Sequence, residues 1–417
     1  MKKKENKDNK ITNKVKKIKV FKEEDKTSYS FKEMMFVMIF SLILGFFACF
    51  SIYKIFNSGK DYIALSKDLS KLVDTYYALV DNYYEDIDKE LLVDDAIKGM
   101  LSSVGDIYTN YSDTDSTITF KETVDGSYEG IGATVGQTAD GQLVVVEVFK
   151  DSPSDKAGLK EGDVIIKIDG EDYTNKTSTD VANYIKDNKN ATITLTIKRD
   201  DEQKEIKLQR GMVEMPTVNS EIYEKNNKKI GYISISIFSS ITTKQFTNAL
   251  DKLNKENIDG LVIDVRDNGG GYLSVVTDIA SEILEKNKVI YKLEKDEKIS
   301  EKKDNTKAKL EYPVAILVNS NSASAAEILA AAIKESYDGF VVGTNTYGKG
   351  TVQQTTTLPD GSMVKYTVQK WLTPDGNWID GKGVEPTDYV ELSDEYYKNP
   401  VMENDNQLNK ALELVSK

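Results

Sequence analysis

The sequence predicts a mixed α/β protein in which one apolar N-terminal helix is followed by helices, a strand-rich domain and an α/β core. Three observations predict this order. No charged residue falls within residues 34–53. Short apolar runs separated by glycine and turn residues fill residues 117–209, and strand and helix patterns alternate from Lys228 onward. The 417 residues are enough for two or three domains with substantial cores.

The apolar run is the candidate membrane segment. Residues 34–56 read MMFVMIFSLILGFFACFSIYKIF, and about 20 uncharged residues suffice to cross a bilayer as one helix. The preceding residues 1–33 carry 12 lysines against 6 acidic residues, so this basic tail is expected to stay cytoplasmic. The run exceeds a usual signal-peptide core, and no small-residue cleavage site follows. We therefore expect an uncleaved signal anchor, single-pass in the cell membrane with the body extracytoplasmic, over a cleaved signal or a lipoprotein signal at Cys49.

The composition of the chain limits the classes of molecule that the exported body is expected to bind. The net charge is −13, and the exported part is more negative still because the basic tail offsets it. A body this acidic is a poor nucleic-acid binder. Cys49 is the only cysteine, so no disulfide can form within the exported body. Nothing in the sequence calls for a cofactor or a metal.

The pattern of apolar residues predicts that residues 57–115 form an N-terminal helical region. Apolar residues recur there at helical spacing, from Leu65 through Tyr76 and Val80 to Ile97, which predicts two or three amphipathic helices. A packing or dimerisation arm is the simplest interpretation, and a homodimer is accordingly one expectation.

Residues 116–211 contain four strand-like runs, at 131–135, 143–149, 163–168 and 191–198. Helical patterns at 153–157 and 179–186 interrupt them. The segment 152–165, SPSDKAGLKEGDVI, closely resembles the signature of a PDZ domain. The resemblance places the carboxylate-binding loop at Gly130, Ile131, Gly132 and Ala133, where successive backbone N–H groups can hold a terminal carboxylate and a sheet edge can accept a peptide strand. The alternative is a PDZ-like spacer that binds no ligand.

Residues 212–392 carry the alternating pattern of an α/β core. Strands are predicted at 230–237, 261–265 and 314–318, and helices at 243–254, 273–284 and 324–334. Functional groups in such cores gather at the carboxyl ends of the strands. The lysine-rich segment 294–309 is interpreted as a solvated loop. Residues 393–417 are interpreted as an acidic tail with a candidate terminal helix.

The chain has no histidine, which constrains any serine chemistry. A nucleophilic serine would need another base, and Lys349 lies between Gly348 and Gly350. Lysine acts as a base only when it is neutral, so burial must lower its pKa from about 10.4. Oxyanion donors are available at the start of the helix after Ser324 and in the glycine turn 268–271.

Each of these features has a simpler interpretation. Ser324 suits an ordinary helix N-cap. A glycine-flanked lysine suggests a phosphate loop, but the spacing from Gly343 and the strand-like residues 351–357 do not fit one. Asp264 and Arg266 are expected to form a structural ion pair.

Taken together, the segments 264–273, 319–330, 343–354 and 371–386 resemble the carboxy-terminal processing peptidases, or tail-specific proteases, a serine peptidase family with a PDZ domain. The resemblance runs from about residue 72 to 390. It implies Ser324 as nucleophile, Lys349 as general base and Gln353 as the residue that orients the lysine. The implied oxyanion donors are the amide of Ala325 and one amide of Gly269 or Gly270. The third serine of the family motif is replaced here by Ala326, which excludes that position as nucleophile.

The resulting prediction is a mixed α/β peptidase core with an inserted PDZ domain, an N-terminal helical segment and a single transmembrane helix. The predicted activity is that of a membrane-anchored serine endopeptidase that cleaves exported proteins near apolar C-terminal tails. An adaptor or regulatory protein is a further expected partner. The alternative is a non-catalytic PDZ scaffold that tethers partners at the membrane.

Overall fold

The computed structural model describes residues 30–56, 62–188, 192–306 and 310–417. The chain divides into two compact units, Met1–Lys89 and Glu90–Lys417. The first unit contributes helices α1 (Phe31–Phe56) and α2 (Tyr62–Asn82). Within α1, Phe31–Ser51 has a mean hydropathy of 2.4 and exposed side chains, so by length and composition it is able to cross a membrane.

The second unit begins with α3 (Lys89–Ser102), β1 (Asn110–Ser112) and α4 (Thr114–Asp125). Helix α4 starts where the Asp113 side chain accepts a hydrogen bond from the Ser116 amide. It ends at Gly126, whose φ of 70° is the left-handed conformation that closes many helices. Helices α2 and α3 lie in the region predicted to be helical, whereas α4 was not predicted.

The strand-rich region is an antiparallel sheet with two short helices. Its elements are β2 (Ser127–Gly130), β3 (Ala133–Gln137), β4 (Leu143–Val148), α5 (Pro153–Lys156), β5 (Val164–Ile168), β6 (Glu171–Asp172), α6 (Ser178–Asp187), β7 (Thr192–Arg199), β8 (Glu202–Gln209) and β9 (Gly211–Glu214). The strand order is β3-β4-β5-β7-β8, with β6 beside β5 and a separate β2–β9 ribbon. Alternate residues of β7, including Ile193, Leu195 and Ile197, are fully buried, as expected for one buried face.

The α/β core follows from residue 218. Its elements are β10 (Val218–Lys225), β11 (Lys228–Ile235), α7 (Thr242–Lys255), β12 (Gly260–Asp264), α8 (Leu273–Ile283), β13 (Val289–Lys295), β14 (Lys298–Lys303), β15 (Val314–Val318), α9 (Ala325–Ala332), β16 (Phe340–Gly343), β17 (Thr351–Thr357), β18 (Met363–Leu372), β19 (Asp388–Tyr389), α10 (Asp394–Lys398) and α11 (Asn406–Val415). A π-helical turn, Ile333–Tyr337, extends α9.

The main sheet has the order β10-β11-β12-β15-β16-β19 and is parallel except for the β10–β11 pair. Every residue of β12 and β15 is buried, which is typical of central parallel strands covered on both faces. Because the two strands are parallel neighbours, the loops after Asp264 and Val318 leave the same edge of the sheet. That edge holds the candidate site, as the sequence predicts.

Helix α11 is part of the core. Leu408, Leu412 and Val415 pack against Val262 and other residues of the main sheet. The segment that the sequence marks as an acidic tail thus covers one face of the sheet. The opposite face is covered by a larger apolar cluster that includes residues of α7, α8 and α9.

A second sheet has the order β1-β18-β13-β14, with β17 paired to β18. The interpretation of residues 294–309 as a solvated loop is wrong as to the loop, because β13 and β14 form a hairpin over residues 289–303, but the exposure of β14 agrees with it. Asp296 and Glu297 take positive φ values of 50° and 60° at its turn. All residues of β14 are exposed. The strand has no apolar alternation because neither of its faces is buried, so the sequence carries no strand signal.

Candidate active site

A cavity of about 1030 Å³ lies at the strand-end edge of the core. Residues of α4, the glycine turn, the start of α9 and strands β17 and β18 line it. Six residues singled out from the sequence meet in its wall: Ser324, Lys349, Gln353, Ala325, Gly269 and Gly270. The loop of the PDZ-like region lies elsewhere in the fold.

Ser324 stands immediately before helix α9 with strained backbone angles, φ 56° and ψ −112°. Such angles cost a non-glycine residue about 1–3 kcal/mol and concentrate at functional sites. An ordinary N-cap residue has an extended backbone instead. Gly270 packs directly against this serine: a Cβ on Gly270 would lie 2.8 Å from Ser324 Cβ and 2.9 Å from the Ala323 carbonyl oxygen. The serine is therefore held in place by a glycine that admits no side chain.

The glycine turn is held by Asn268, a fully buried residue that sequence reasoning did not single out. Its side-chain amide donates to the Ile235 carbonyl at 2.7 Å, and its Oδ1 accepts from the Gly270 amide at 2.8 Å. The Gly270 N–H is thus already used. Among the described residues, the amides of Gly269 and Ala325 have no hydrogen-bond partner, and Gly269 is exposed to solvent.

Glu327 links the serine segment, residues 322–325, to the lysine loop, residues 346–350. Sequence reasoning did not single it out. It is fully buried, and its carboxylate accepts four hydrogen bonds. Oε2 accepts from the amides of Ser324 (2.8 Å) and Lys349 (2.9 Å). Oε1 accepts from Thr346 Oγ1 (2.6 Å) and the Gly348 amide (2.7 Å). The spacing Ser-x-x-Glu from Ser324 is a capping-box signature, so the sequence held a signal for this residue.

Lys349 is half-buried, and its pKa is lowered. Burial is the main cause, since it disfavours the ammonium form, and the nearby positive charge of Lys365 adds to it. The negative charges of Glu327 and Asp106 act in the opposite direction. The main chain is fixed by Trp371, whose indole N–H donates to the Lys349 carbonyl at 2.7 Å.

The side-chain amine of Lys349 lies over the aromatic ring of Tyr108, with Nζ 4.8 Å from the ring centroid. Burial, followed by a hydrogen bond to the Tyr347 side chain, raises the pKa of Tyr108 to about 12, so its ring is neutral. Tyr108 precedes β1 and is far from Lys349 in sequence, and sequence reasoning did not find it.

The serine and the lysine line the same cavity. Within the described part of the chain, no hydrogen bond joins Ser324 Oγ to Lys349 Nζ. Gln353 donates from Nε2 to Thr351 Oγ1 at 2.9 Å and to Thr367 Oγ1 at 3.2 Å. Both bonds use the nitrogen of the Gln353 side-chain amide and leave its oxygen available as an acceptor.

The loop predicted to bind carboxylates connects β2 to β3 in the PDZ-like sheet. The carbonyls of Ile131 and Gly132 accept from the amides of Ser154 and Phe149, both at 2.9 Å. Gly132 has a φ of 76°, and Ala133 begins β3. The ring of Tyr128 packs on Gly130, where a Cβ would lie 2.3 Å from a ring carbon. Burial raises the pKa of Tyr128, and a backbone hydrogen bond from Gly132 opposes this effect.

Asp264 and Arg266 form an ion pair at 2.6 Å, and Arg266 also pairs with Asp405 ahead of α11 at 2.9 Å. All three side chains are largely buried, and none of them lines the cavity. Their structural role is therefore the one expected from the sequence. Within the described ranges, no group of three or more acidic or cysteine side chains is placed to hold a metal ion.

Comparison with protein families gives three matches. The model of peptidase family S41 matches residues 229–390, and the PDZ domain model matches residues 129–209. The model described as the activating protease CtpB N-terminal domain matches residues 51–116. A core of this family behind a PDZ domain defines a serine peptidase, and the predicted fold class is confirmed.

Two similar proteins are carboxy-terminal processing proteases of Bacillus subtilis (strain 168). CtpB is 39% identical over 340 residues, 80% of this chain and 70% of that protein. CtpA is 38% identical over 337 residues, 80% of this chain and 71% of that protein. The chain therefore belongs to the carboxy-terminal processing proteases of peptidase family S41. A putative S41 protease structure from Bacteroides fragilis matches 80% of this chain and 91% of its own with a TM-score of 0.51; at 18% identity it shows the fold alone.

Proposed function

We propose that this serine peptidase is anchored in the cell membrane by α1 and cleaves exported proteins near their C-terminal tails with a Ser324–Lys349 dyad. The observation that carries the proposal is the strained backbone of Ser324 in the same cavity wall as a half-buried lysine of lowered pKa. An ordinary helix cap needs neither feature.

In the proposed reaction, Ser324 Oγ attacks the scissile carbonyl carbon while neutral Lys349 Nζ takes the hydroxyl proton. The developing oxyanion accepts hydrogen bonds from the amides of Ala325 and Gly269. Of the two glycines considered, Gly269 is favoured because the Gly270 amide is used by Asn268. Lys349 then returns its proton to the leaving amine as the C–N bond breaks. Water hydrolyses the acyl-enzyme by the same proton route.

The dyad requires Lys349 to turn from the Tyr108 ring toward Ser324, because no hydrogen bond joins the two residues in this structure. Gln353 is suited to guide that movement. Its amide oxygen is available to accept from Nζ, while its nitrogen is fixed by Thr351 and Thr367. Catalytic hydrogen bonds that are loose without substrate commonly tighten in the complex.

The PDZ domain is proposed to bind the apolar C-terminus of the substrate at residues 130–133, with an adaptor or regulatory protein as a further partner. The Tyr128 ring packs on Gly130 at one end of this loop and leaves no room there for a side chain. The apolar helix α1 supports the anchor, and the lysine-rich residues 1–33 support a cytoplasmic N-terminus.

The test uses an unfolded reporter protein with an apolar C-terminus and a small fluorophosphonate probe. Ser324→Ala and Lys349→Ala should each abolish cleavage, and Ser324→Ala should also abolish covalent labelling. Ser322→Ala is the matched control for labelling, because Ser322 Oγ is buried and donates to the Val265 carbonyl at 2.7 Å. Cleavage at near wild-type rate by either dyad variant would refute the assignment. Absence of labelling and cleavage in the wild type would favour the scaffold alternative.

A further inference from the structure

The charge of the cavity wall is opposite in sign to that of the whole protein. The chain has a net charge of −13. Among the described residues that line the cavity, three are lysines and none is acidic: Lys121, Lys349 and Lys365. A cavity of one charge sign concentrates ligands of the other sign. Because the proposed reaction needs Lys349 to be neutral, Lys121 and Lys365 are the two lysines of the wall that would attract a negative group.

The positive charge that Lys349 carries when protonated is stabilised by the negative charges of Glu327 and Asp106. The surroundings of Lys365 are different. It is half-buried on β18, its Nζ lies 5.6 Å from the centre of the Phe120 ring, and no ion pair to it is present in the described part of the chain. A partly buried cation without an ion pair is available to bind a negatively charged group of a ligand.

Lys121 lies on α4, across the cavity wall from strand β17. Its Nζ donates to Thr357 Oγ1 at 3.1 Å, which holds the amine beside that strand. Phe120, the neighbouring residue on α4, is the ring under Lys365. Thr355, two residues before Thr357 on β17, pairs with Lys365 on β18, so both lysines lie beside the same part of the second sheet.

We propose that Lys365, supported by Lys121, is a carboxylate-binding subsite of the catalytic cavity, so that the enzyme prefers substrates with an acidic group close to the scissile bond. This inference rests on the proposed function and adds a substrate class to it. The carboxylate is either an Asp or Glu side chain or the terminal carboxylate of a short tail, and both offer the same acceptor oxygens to lysine.

The experiment uses the full-length protein in detergent with internally quenched peptides. The peptides are identical except for one position, scanned across three residues on each side of the scissile bond and occupied in turn by Asp, Asn or Lys. Each peptide is made with a free and an amidated C-terminus. At one position we expect kcat/KM to be about tenfold higher for Asp than for Asn, equivalent to about 1.4 kcal/mol, and lower again for Lys. A preference that depends only on the free C-terminus would identify the terminal carboxylate as the bound group.

Lys365→Glu should invert the order, so that the Lys peptide becomes the best substrate. Lys302→Glu makes the same change of charge on β14, at an exposed position of the same sheet outside the cavity, and should leave the preference as it is. The preference should shrink as salt rises from about 0.1 M to about 1 M, where screening lengths fall from about 10 Å to about 3 Å.

Binding provides a readout independent of turnover. On Ser324→Ala protein, fluorescence anisotropy should give the Asp peptide a lower Kd than the Asn peptide, and adding Lys365→Met should remove the difference. Equal cleavage of all three peptides by the wild type, with no difference between the free and the amidated C-terminus, would overturn the subsite while leaving the peptidase function intact. Persistence of the acidic preference in Lys365→Met or Lys365→Glu would also overturn it. Failure of the wild type to cleave any peptide would instead count against the proposed function.

Discussion

Glu327 offers the sharpest test of how the site is assembled, because one buried carboxylate holds both the serine segment and the lysine loop. Substitution by Gln keeps the size and replaces one oxygen with an NH₂ group. The least costly orientation places that group toward Thr346, whose hydroxyl already accepts from the Val384 amide and can turn to accept a second hydrogen bond. The Gly348 amide then loses its acceptor. A lost hydrogen bond to a charged group costs about 1.5–3 kcal/mol.

That energy is expected to appear in catalysis, because the Gly348 amide directly precedes Lys349. If the full amount is lost from the transition state, kcat falls by about 10- to 150-fold. The assay is steady-state cleavage of the reporter protein, with the fluorophosphonate probe to count folded active sites. Glu335→Gln is the matched control, since Glu335 follows the same helix and its carboxylate accepts one backbone amide, from Asp375 at 2.8 Å. A kcat within twofold of wild type in Glu327→Gln, or an equal loss in Glu335→Gln, would refute this reasoning.

Three further predictions concern the amine and the glycine turn. The reactive form of Lys349 is the neutral amine, and the pKa of this lysine is lowered. We therefore expect kcat/KM to rise with pH and to reach its plateau below the ordinary lysine pKa of about 10.4. A plateau above that value in the pH–rate profile would contradict this expectation. The Tyr108 ring stabilises the ammonium form of Lys349 by about 0.5–2 kcal/mol. Tyr108→Leu should therefore move the pH profile of kcat/KM to lower pH, whereas Tyr108→Phe should leave it near that of the wild type. Coincident pH profiles of Tyr108→Leu and the wild type would exclude a role for the ring. Gly271→Ala should lower the unfolding temperature strongly, because the added Cβ would lie 2.2 Å from the Phe238 carbonyl oxygen. Gly269→Ala should leave the unfolding temperature nearly unchanged, because the added Cβ would meet open space. Equal unfolding temperatures of the two variants would contradict the packing argument.

The order of helices and strands could be predicted from the sequence because most elements bury one or both faces. Strands β12 and β15 are continuous apolar runs, and α7 repeats its apolar residues at helical spacing. The β13–β14 hairpin escaped prediction because its second strand buries nothing. Helix α11 was expected only as a candidate, since an acidic segment gives no sign that its apolar residues meet the sheet.

The residues of the candidate site fall into two groups, those that the sequence could reveal and those that it could not. Ser324 and Lys349 could be found because they lie in recognisable motifs, and Glu327 could have been found from the capping box. Tyr108 and Lys365 could not, because Tyr108 approaches Lys349 through the pairing of β1 with β18, and Lys365 approaches it through the pairing of β17 with β18. Contacts between segments so far apart in sequence depend on sheet topology rather than on local pattern.

The proton state of Lys349 depends on a balance of opposing charges. Burial and Lys365 favour the neutral amine, whereas Glu327 and Asp106 favour the ammonium. An acidic substrate group bound at Lys365 would cancel one of the two influences that favour the neutral form. The pH profile of kcat, which reports the enzyme–substrate complex, should therefore lie at higher pH for the Asp peptide than for the Asn peptide. The profiles of kcat/KM report the free enzyme and should coincide. Coincident kcat profiles would mean that the bound carboxylate and the catalytic amine do not influence each other, and Lys365 would then act on binding alone.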